Sequence, residues 1–150
     1  MKRRFTRFTP AILCLLTPTL DAAAATVAET VGAWGLIGSW SLDCSAAPDR
    51  SRGAVLAYEI ASGGRVIHRR DFGDTTDESE VVAAELSGDG MLNLRVFFPK
   101  LKQTREYGFV MEPDFTLRAV YNRSQKGEYT IKGGKFTANG NPTLALHKCM

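Results

Sequence analysis

Short segments of alternating apolar and polar residues, separated by turn-forming residues, dominate this chain of 150 residues. One segment places an apolar side chain at every second position: Leu92, Leu94, Val96 and Phe98. That period is typical of a β-strand with one buried face. Ten segments follow the pattern: 39–44, 54–60, 65–72, 80–86, 91–98, 104–111, 116–122, 128–132, 135–138 and 144–149. Their spacing predicts an all-β antiparallel meander of about eight to ten strands, with at most a helical turn within 26–37.

The first 25 residues form a separate unit. A basic stretch from Lys2 to Arg7 precedes an apolar run of about 11 residues, and alanines in an A-x-A pattern follow. These are the three parts of a secretory signal peptide. The run is shorter than the roughly 20 apolar residues that a membrane span requires, so no stable membrane anchor is expected. We predict a signal peptide at 1–25, a single β-barrel domain at 26–150, and a periplasmic or secreted location.

Removal of the signal peptide changes the charge of the chain. Residues 1–25 hold four of the 19 Lys and Arg residues and one of the 16 Asp and Glu residues, so the remainder carries 15 of each. A neutral domain has no global electrostatic reason to bind nucleic acid or an anionic membrane.

Export also determines how the cysteines are interpreted. Cys14 leaves with the signal peptide, and Cys44 and Cys149 remain as the one pair able to form a disulfide in an oxidising compartment. Free thiols are one alternative. A metal site is another, but it needs two further ligands, for which only His68 and His147 are present. A bond from the end of the first predicted strand to the end of the last is the connection that barrel closure requires.

A G-x-W sequence occupies positions 38–40, on the first predicted strand. It resembles the signature of lipocalins and related up-and-down barrels, which implies a closed barrel that binds a ligand or a partner. In that family the tryptophan closes one end of the barrel, often beneath a basic side chain from a late strand, here Lys148 or Arg118. The chain is also similar to small exported bacterial proteins with a G-x-W-x-x-x-C segment, here 38–44, and a G-x-P-T…C tail, here 140–149.

Aromatic side chains on the predicted strands are the candidate ligand contacts. The interior of an eight-stranded barrel is just wide enough for side chains or for one small ligand. The bulk of the aromatic residues favours a filled core, and a ligand cavity is the alternative. If a ligand is bound, its expected contacts are Trp40, Tyr58, Phe98, Tyr107, Phe109 and Tyr121.

Three groups of charged residues have structural interpretations. The acidic residues fit a solvated loop at 73–79 better than a Ca²⁺ site, since their spacing does not match a calcium-binding loop: Asp71, Asp74, Asp77, Glu78 and Glu80. Two basic clusters are expected to protect strand edges, with a patch for an anionic partner as the alternative: Arg65, Arg69 and Arg70, and Lys100, Lys102 and Arg105.

The sequence favours binding over catalysis. His68 and His147 lie on predicted strands and are expected to be exposed or partly buried, and no G-x-S-x-G motif accompanies them. We predict no catalytic residue, metal or cofactor. The favoured function is an exported, non-enzymatic binding protein for a small apolar molecule. The alternative is a protein-interaction module, such as an envelope hydrolase inhibitor or an assembly accessory, that presents the loops 46–53 and 73–79. A hydrolase is the least supported interpretation.

Overall fold

The computed structural model describes residues 24–150, and this part of the chain contains one α-helix and ten strands. The helix α1 spans Val27–Trp34. The strands β1 to β10 span, in chain order, Gly38–Ser41, Val55–Ile60, Val66–Asp71, Thr76–Leu86, Leu92–Phe98, Gln103–Met111, Leu117–Ser124, Tyr129–Lys132, Lys135–Phe136 and His147–Cys149. The predicted signal peptide lies outside the described residues, apart from Ala24 and Ala25.

All ten strands belong to one antiparallel sheet. Each strand from β1 to β8 pairs with its successor in sequence, and β10 pairs with the remaining side of β1. The resulting order is β10-β1-β2-β3-β4-β5-β6-β7-β8-β9. The predicted antiparallel meander of eight to ten strands is therefore confirmed.

The helix α1 is longer than the helical turn expected within 26–37, so the chain is mostly β and not all-β. The Thr26 hydroxyl accepts a hydrogen bond from the Glu29 amide at 3.2 Å, and the Glu29 carboxylate accepts one from the Thr26 amide at 2.8 Å. This reciprocal capping box satisfies amides that the first helical turn leaves unpaired. Gly35 ends the helix in the left-handed region, with φ of 93°. No helix within residues 24–150 combines the length and the apolar character that a membrane crossing requires.

Strand β4 begins earlier than predicted. The segment 73–79 was expected to be a polar loop, but Thr76 already belongs to β4, and the connection closes with a 2.9 Å hydrogen bond from the Phe72 amide to the Thr75 carbonyl. The acidic residues of this segment pair across the sheet with arginines of β3, so their polarity does not oppose strand formation. The prediction of a free loop at 73–79 is wrong for its second half.

One face of the sheet carries nearly all the buried strand side chains, and we call it the inner face. On β2, Leu56 and Tyr58 point inward, because they pair with Trp40 and Gly38 of β1. On β5, the predicted inward set is confirmed, since all four members are buried: Leu92, Leu94, Val96 and Phe98.

A register shift in the pairing of β6 with β7 moves Tyr121 away from the inner face. Gly108 pairs with Tyr121, but the next residue, Phe109, pairs with Ala119. The shift reverses the alternation along β7, so Tyr121 and Ala119 lie on opposite faces of the sheet. The Tyr121 ring lies over Gly108, where a Cβ atom would come within 2.2 Å of it. Its hydroxyl donates a 2.8 Å hydrogen bond to Asn93.

The predicted disulfide joins Cys44 to Cys149, with 5.3 Å between their Cα atoms. Cys149 belongs to β10, which pairs with β1, and Cys44 lies in the turn after β1. The bond therefore ties the beginning of the sheet to the end of the chain, as predicted. The alternatives with free thiols and with a metal are overturned by this bond.

Replacing both cysteines with serine tests the contribution of the disulfide. Chain entropy for a closed loop of about 100 residues predicts a loss of roughly 4–5 kcal/mol in the free energy of unfolding, and we expect at least about 2 kcal/mol. Urea unfolding of the two proteins under oxidising conditions measures it. Reductant should destabilise the parent protein and leave the double variant unchanged. Equal midpoints for the two proteins would contradict the prediction.

Candidate functional site

A cavity of about 330 Å³ opens on the inner face of the sheet. Its apolar lining comes from several strands and from the segments before β2 and β10: Leu42, Leu56, Phe72, Phe109, Ala119, Ile131, Phe136, Leu144 and Leu146. Its polar lining is smaller: Tyr58, His68, Arg70, Tyr107, Asn122 and Thr143. An apolar wall with a few polar groups is the usual composition of a small-molecule site.

The six predicted aromatic contacts divide into three groups. Tyr58, Tyr107 and Phe109 line the cavity. Trp40 and Phe98 are buried in the core but are absent from the cavity wall. Tyr121 lies on the other face of the sheet, as described above. The inner face thus contains both a packed core and a cavity, where the sequence left these as alternatives.

Trp40 is fixed on both of its sides. Its indole N–H donates a 2.7 Å hydrogen bond to the Leu36 carbonyl. The Lys148 ammonium lies 5.4 Å from the centre of the ring and also donates to the Gly35 carbonyl at 3.0 Å. Lys148 is therefore the basic residue over the tryptophan. Arg118, the other candidate, donates to the Glu112 carboxylate instead.

His68 is the central polar residue of the cavity wall. It is only 2% exposed, and its ring stacks on that of its cross-strand partner Tyr58, with 4.6 Å between centroids and 4° between planes. The Tyr107 ring meets it edge to face at 6.2 Å. The expectation of an exposed or partly buried histidine is wrong. The alternation of β3 would have predicted this burial, because Val66, His68 and Arg70 share the inner face.

The polar atoms around His68 lack protein partners. Neither ring nitrogen of His68 has a hydrogen-bond partner within residues 24–150, and neither does the hydroxyl of its other cross-strand neighbour, Ser79. Burial, together with the nearby charge of Arg70, lowers the pKa of His68 from 6.5 to about 3. The imidazole is therefore neutral near pH 7, with one nitrogen as donor and the other as acceptor. Burial also raises the pKa of Tyr58 and of Tyr107, so both phenols keep their protons.

Among residues 24–150, Arg70 is the one charged residue on the cavity wall. Its Nε and Nη2 atoms donate to the Asp77 carboxylate at 2.8 and 2.6 Å. Its guanidinium carbon lies 5.0 Å from the centre of the Phe98 ring and 5.5 Å from that of Phe72. The ion pair and the two aromatic rings hold the guanidinium in one position.

Two arginines of β3 and Arg65, which immediately precedes it, form ion pairs with β4: Arg65 with Glu80, Arg69 with Glu78, and Arg70 with Asp77. The interpretation of these arginines as edge protection is wrong, because β3 has a neighbour on each side. The solvated-loop interpretation of their acidic partners is wrong because Asp77, Glu78 and Glu80 lie on β4. No metal-binding cluster of His, Cys, Asp or Glu occurs between residues 24 and 150.

The loop 46–53 packs over the β3–β4 hairpin beside the cavity. Arg50 donates to Asp74 at 3.0 Å and to Thr75 at 2.8 Å, and its guanidinium lies 4.9 Å from the centre of the Phe72 ring. At Gly73, where φ is 86°, a Cβ atom would lie 2.3 Å from the Pro48 carbonyl oxygen. The loop is thus anchored next to the wall residues Gly53 and Phe72.

Comparison of the chain with protein families, with curated proteins and with solved structures gives no match. The functional argument therefore starts from the cavity and its polar groups.

The buried imidazole predicts a specific dependence of stability on pH. The unfolded state binds a proton at His68 below about pH 6.5, whereas the folded state does so only near pH 3. The free energy of unfolding should therefore fall as the pH is lowered between these values, by about 1.4 kcal/mol per pH unit from this group. Urea unfolding of the parent protein and of His68→Phe, compared between pH 7 and pH 4.5, measures the difference in slope.

His147→Gln is the matched control for that experiment. His147 is exposed, so this variant should retain the slope of the parent protein. Parallel curves for the parent protein and His68→Phe would show that His68 does not contribute.

Proposed function

We propose that this chain is an exported, non-enzymatic binding protein whose cavity holds a small, largely apolar molecule. The observation that carries the proposal is the cavity of about 330 Å³ with its mainly apolar wall. This volume lies at the lower end of the range of about 300–1,000 Å³ that is usual for ligand sites. At about 30 Å³ per non-hydrogen atom, the space that one water molecule takes up in the liquid, it accommodates roughly eleven such atoms.

The proposal includes closure of the sheet into a lipocalin-like barrel. Leu117 of β7 and Leu146 exchange two backbone hydrogen bonds, of 2.8 and 2.9 Å, just before the chain enters β10. Because β10 pairs with β1, these contacts support a continuous path from β1 through β7 and back to β1. The position of Lys148 over Trp40 supports the same architecture, since the resemblance to lipocalins implies a basic side chain over this tryptophan.

Binding, and not catalysis, fits the chemistry of the wall. His68 is the only imidazole there, and no hydroxyl or carboxylate within residues 24–150 is hydrogen-bonded to it. Catalysis by an activated nucleophile needs such a pairing. The Cys44–Cys149 bond is compatible with a periplasmic or secreted location, where disulfides persist.

Filling the cavity should abolish binding. Ala119 lies on the wall, so Ala119→Leu places three additional carbons in the cavity. The probe is the neutral amide 4-phenylbutyramide, with binding followed by ¹H–¹⁵N chemical shifts of the disulfide-bonded protein. We expect the parent protein to show saturable shifts at the wall residues, and Ala119→Leu to show none.

Ala57→Leu makes the same change at a position of β2 that alternates with the inward residues Leu56 and Tyr58. This control should bind like the parent protein. Shifts spread over the outer face, or equal binding by Ala119→Leu, would reject the cavity as the binding site.

A further inference from the structure

The polar side chains of the cavity wall include a positive charge but no negative one, and most of them can donate hydrogen bonds. The wall contains one cation, Arg70, and no carboxylate among the described residues. Four other polar side chains can donate hydrogen bonds, namely the two phenols, the neutral imidazole and the Asn122 amide, whereas the Thr143 hydroxyl already donates to the Ala119 carbonyl at 2.7 Å. A ligand group placed among them meets several donors and a positive charge.

These donors converge because of the strand register. Tyr58 and His68 are cross-strand partners on β2 and β3, and Tyr107 and Asn122 are partners on β6 and β7. The two pairs meet where the rings of His68 and Tyr107 contact each other at 6.2 Å. The Arg70 guanidinium carbon lies 5.0 Å from the centre of the Phe98 ring, and that ring lies 6.4 Å from the His68 ring and 6.5 Å from the Tyr107 ring. The guanidinium is therefore close to both rings, and its charge adds to the effect of burial in lowering the pKa of His68.

The ion pair with Asp77 leaves part of the Arg70 guanidinium free. The carboxylate accepts hydrogen bonds from Nε and Nη2 only, and Nη1 makes no hydrogen bond within residues 24–150. The Arg70 side chain is 28% exposed, so it is neither sealed in the core nor fully solvated. A guanidinium held in this way presents a fixed donor edge that matches the planar oxygens of a second carboxylate.

We propose that the ligand is a small organic acid, with its carboxylate bound by Arg70, Tyr107 and His68 and its aromatic or branched body against Leu56, Phe109 and Leu146. This inference rests on the proposed function and specifies the ligand class. A buried carboxylate must replace its lost water contacts, and these three residues offer a charged donor, a hydroxyl and an imidazole N–H. A cationic ligand would instead face Arg70 with no carboxylate beside it on the wall.

The experiment compares 4-phenylbutyrate with its neutral amide, 4-phenylbutyramide, by calorimetric titration of the disulfide-bonded protein at pH 7. The two probes have the same size and differ only in the charged head. Hydrogen bonds to a charged group predict a preference for the acid of about tenfold or more. Arg70→Gln should remove the preference, because it should weaken acid binding at least about tenfold more than amide binding.

Two further variants separate recognition from stability. Arg70→Gln leaves Asp77 without its partner, so the double variant Arg70→Gln/Asp77→Asn removes both charges and should show the same loss of preference. Arg69→Gln removes a neighbouring arginine that is also paired, with Glu78 and Glu59, but lies on the outer face. It should keep both affinities of the parent protein.

The outcomes distinguish the two proposals. Equal binding of acid and amide at the cavity would overturn the organic-acid inference and leave the proposed binding function standing. A preference for the acid that persists in the double variant, or that Arg69→Gln also removes, would overturn the role of Arg70. Failure of both probes to bind at the cavity would reject the proposed function and the inference with it.

Discussion

The pairing of β1 with a neighbour on each side is the constraint on which the rest of the structure depends. β2 follows β1 along the chain, but β10 is only three residues long and comes from the far end of the sequence. Three contacts hold β10 in place: the disulfide to Cys44, the Lys148 side chain over Trp40, and the hydrogen bonds of the preceding Leu146 to Leu117. Bringing distant segments together costs chain entropy before any contact is gained, and the covalent bond removes much of that cost from the unfolded state. The position of the Leu144–Leu146 wall of the cavity follows from this attachment.

Much of the fold could be predicted from the sequence because alternation and turn residues are local signals. The ten strands and the inward residues of β5 follow from them, and the disulfide follows from the two cysteines that remain after removal of the predicted signal peptide. The start of β4 was missed because its partners are charged: Asp77 and Glu78 suit a strand only once Arg70 and Arg69 lie opposite them. The helix α1 was underestimated although its capping box, Thr26 to Glu29, is visible in the sequence.

The site was harder to predict than the fold. Tyr58, Tyr107 and Phe109 were identified from their bulk and alternation, but Tyr121 was misplaced by a register shift that leaves no mark on β7 alone. His68 was expected to be exposed or partly buried, and Arg70 was expected to protect a strand edge, because side chains of these types are seldom fully buried. Their position on the inner face becomes evident only from the pairing of β3, where the buried Val66 shows which alternate residues point inward. Side-chain type thus gave the wrong expectation where strand geometry gave the right one.

The close approach of Gly73 to Pro48 constrains how the segment beside the cavity can change. The hairpin residue and the loop carbonyl are so close that the hydrogen atom of glycine is the largest substituent that fits between them. A side chain there would displace the 46–53 loop, whose Gly53 belongs to the cavity wall, even though residue 73 is no part of that wall. Substitution at this one exposed position would therefore alter the shape of the cavity and leave its polar side chains unchanged.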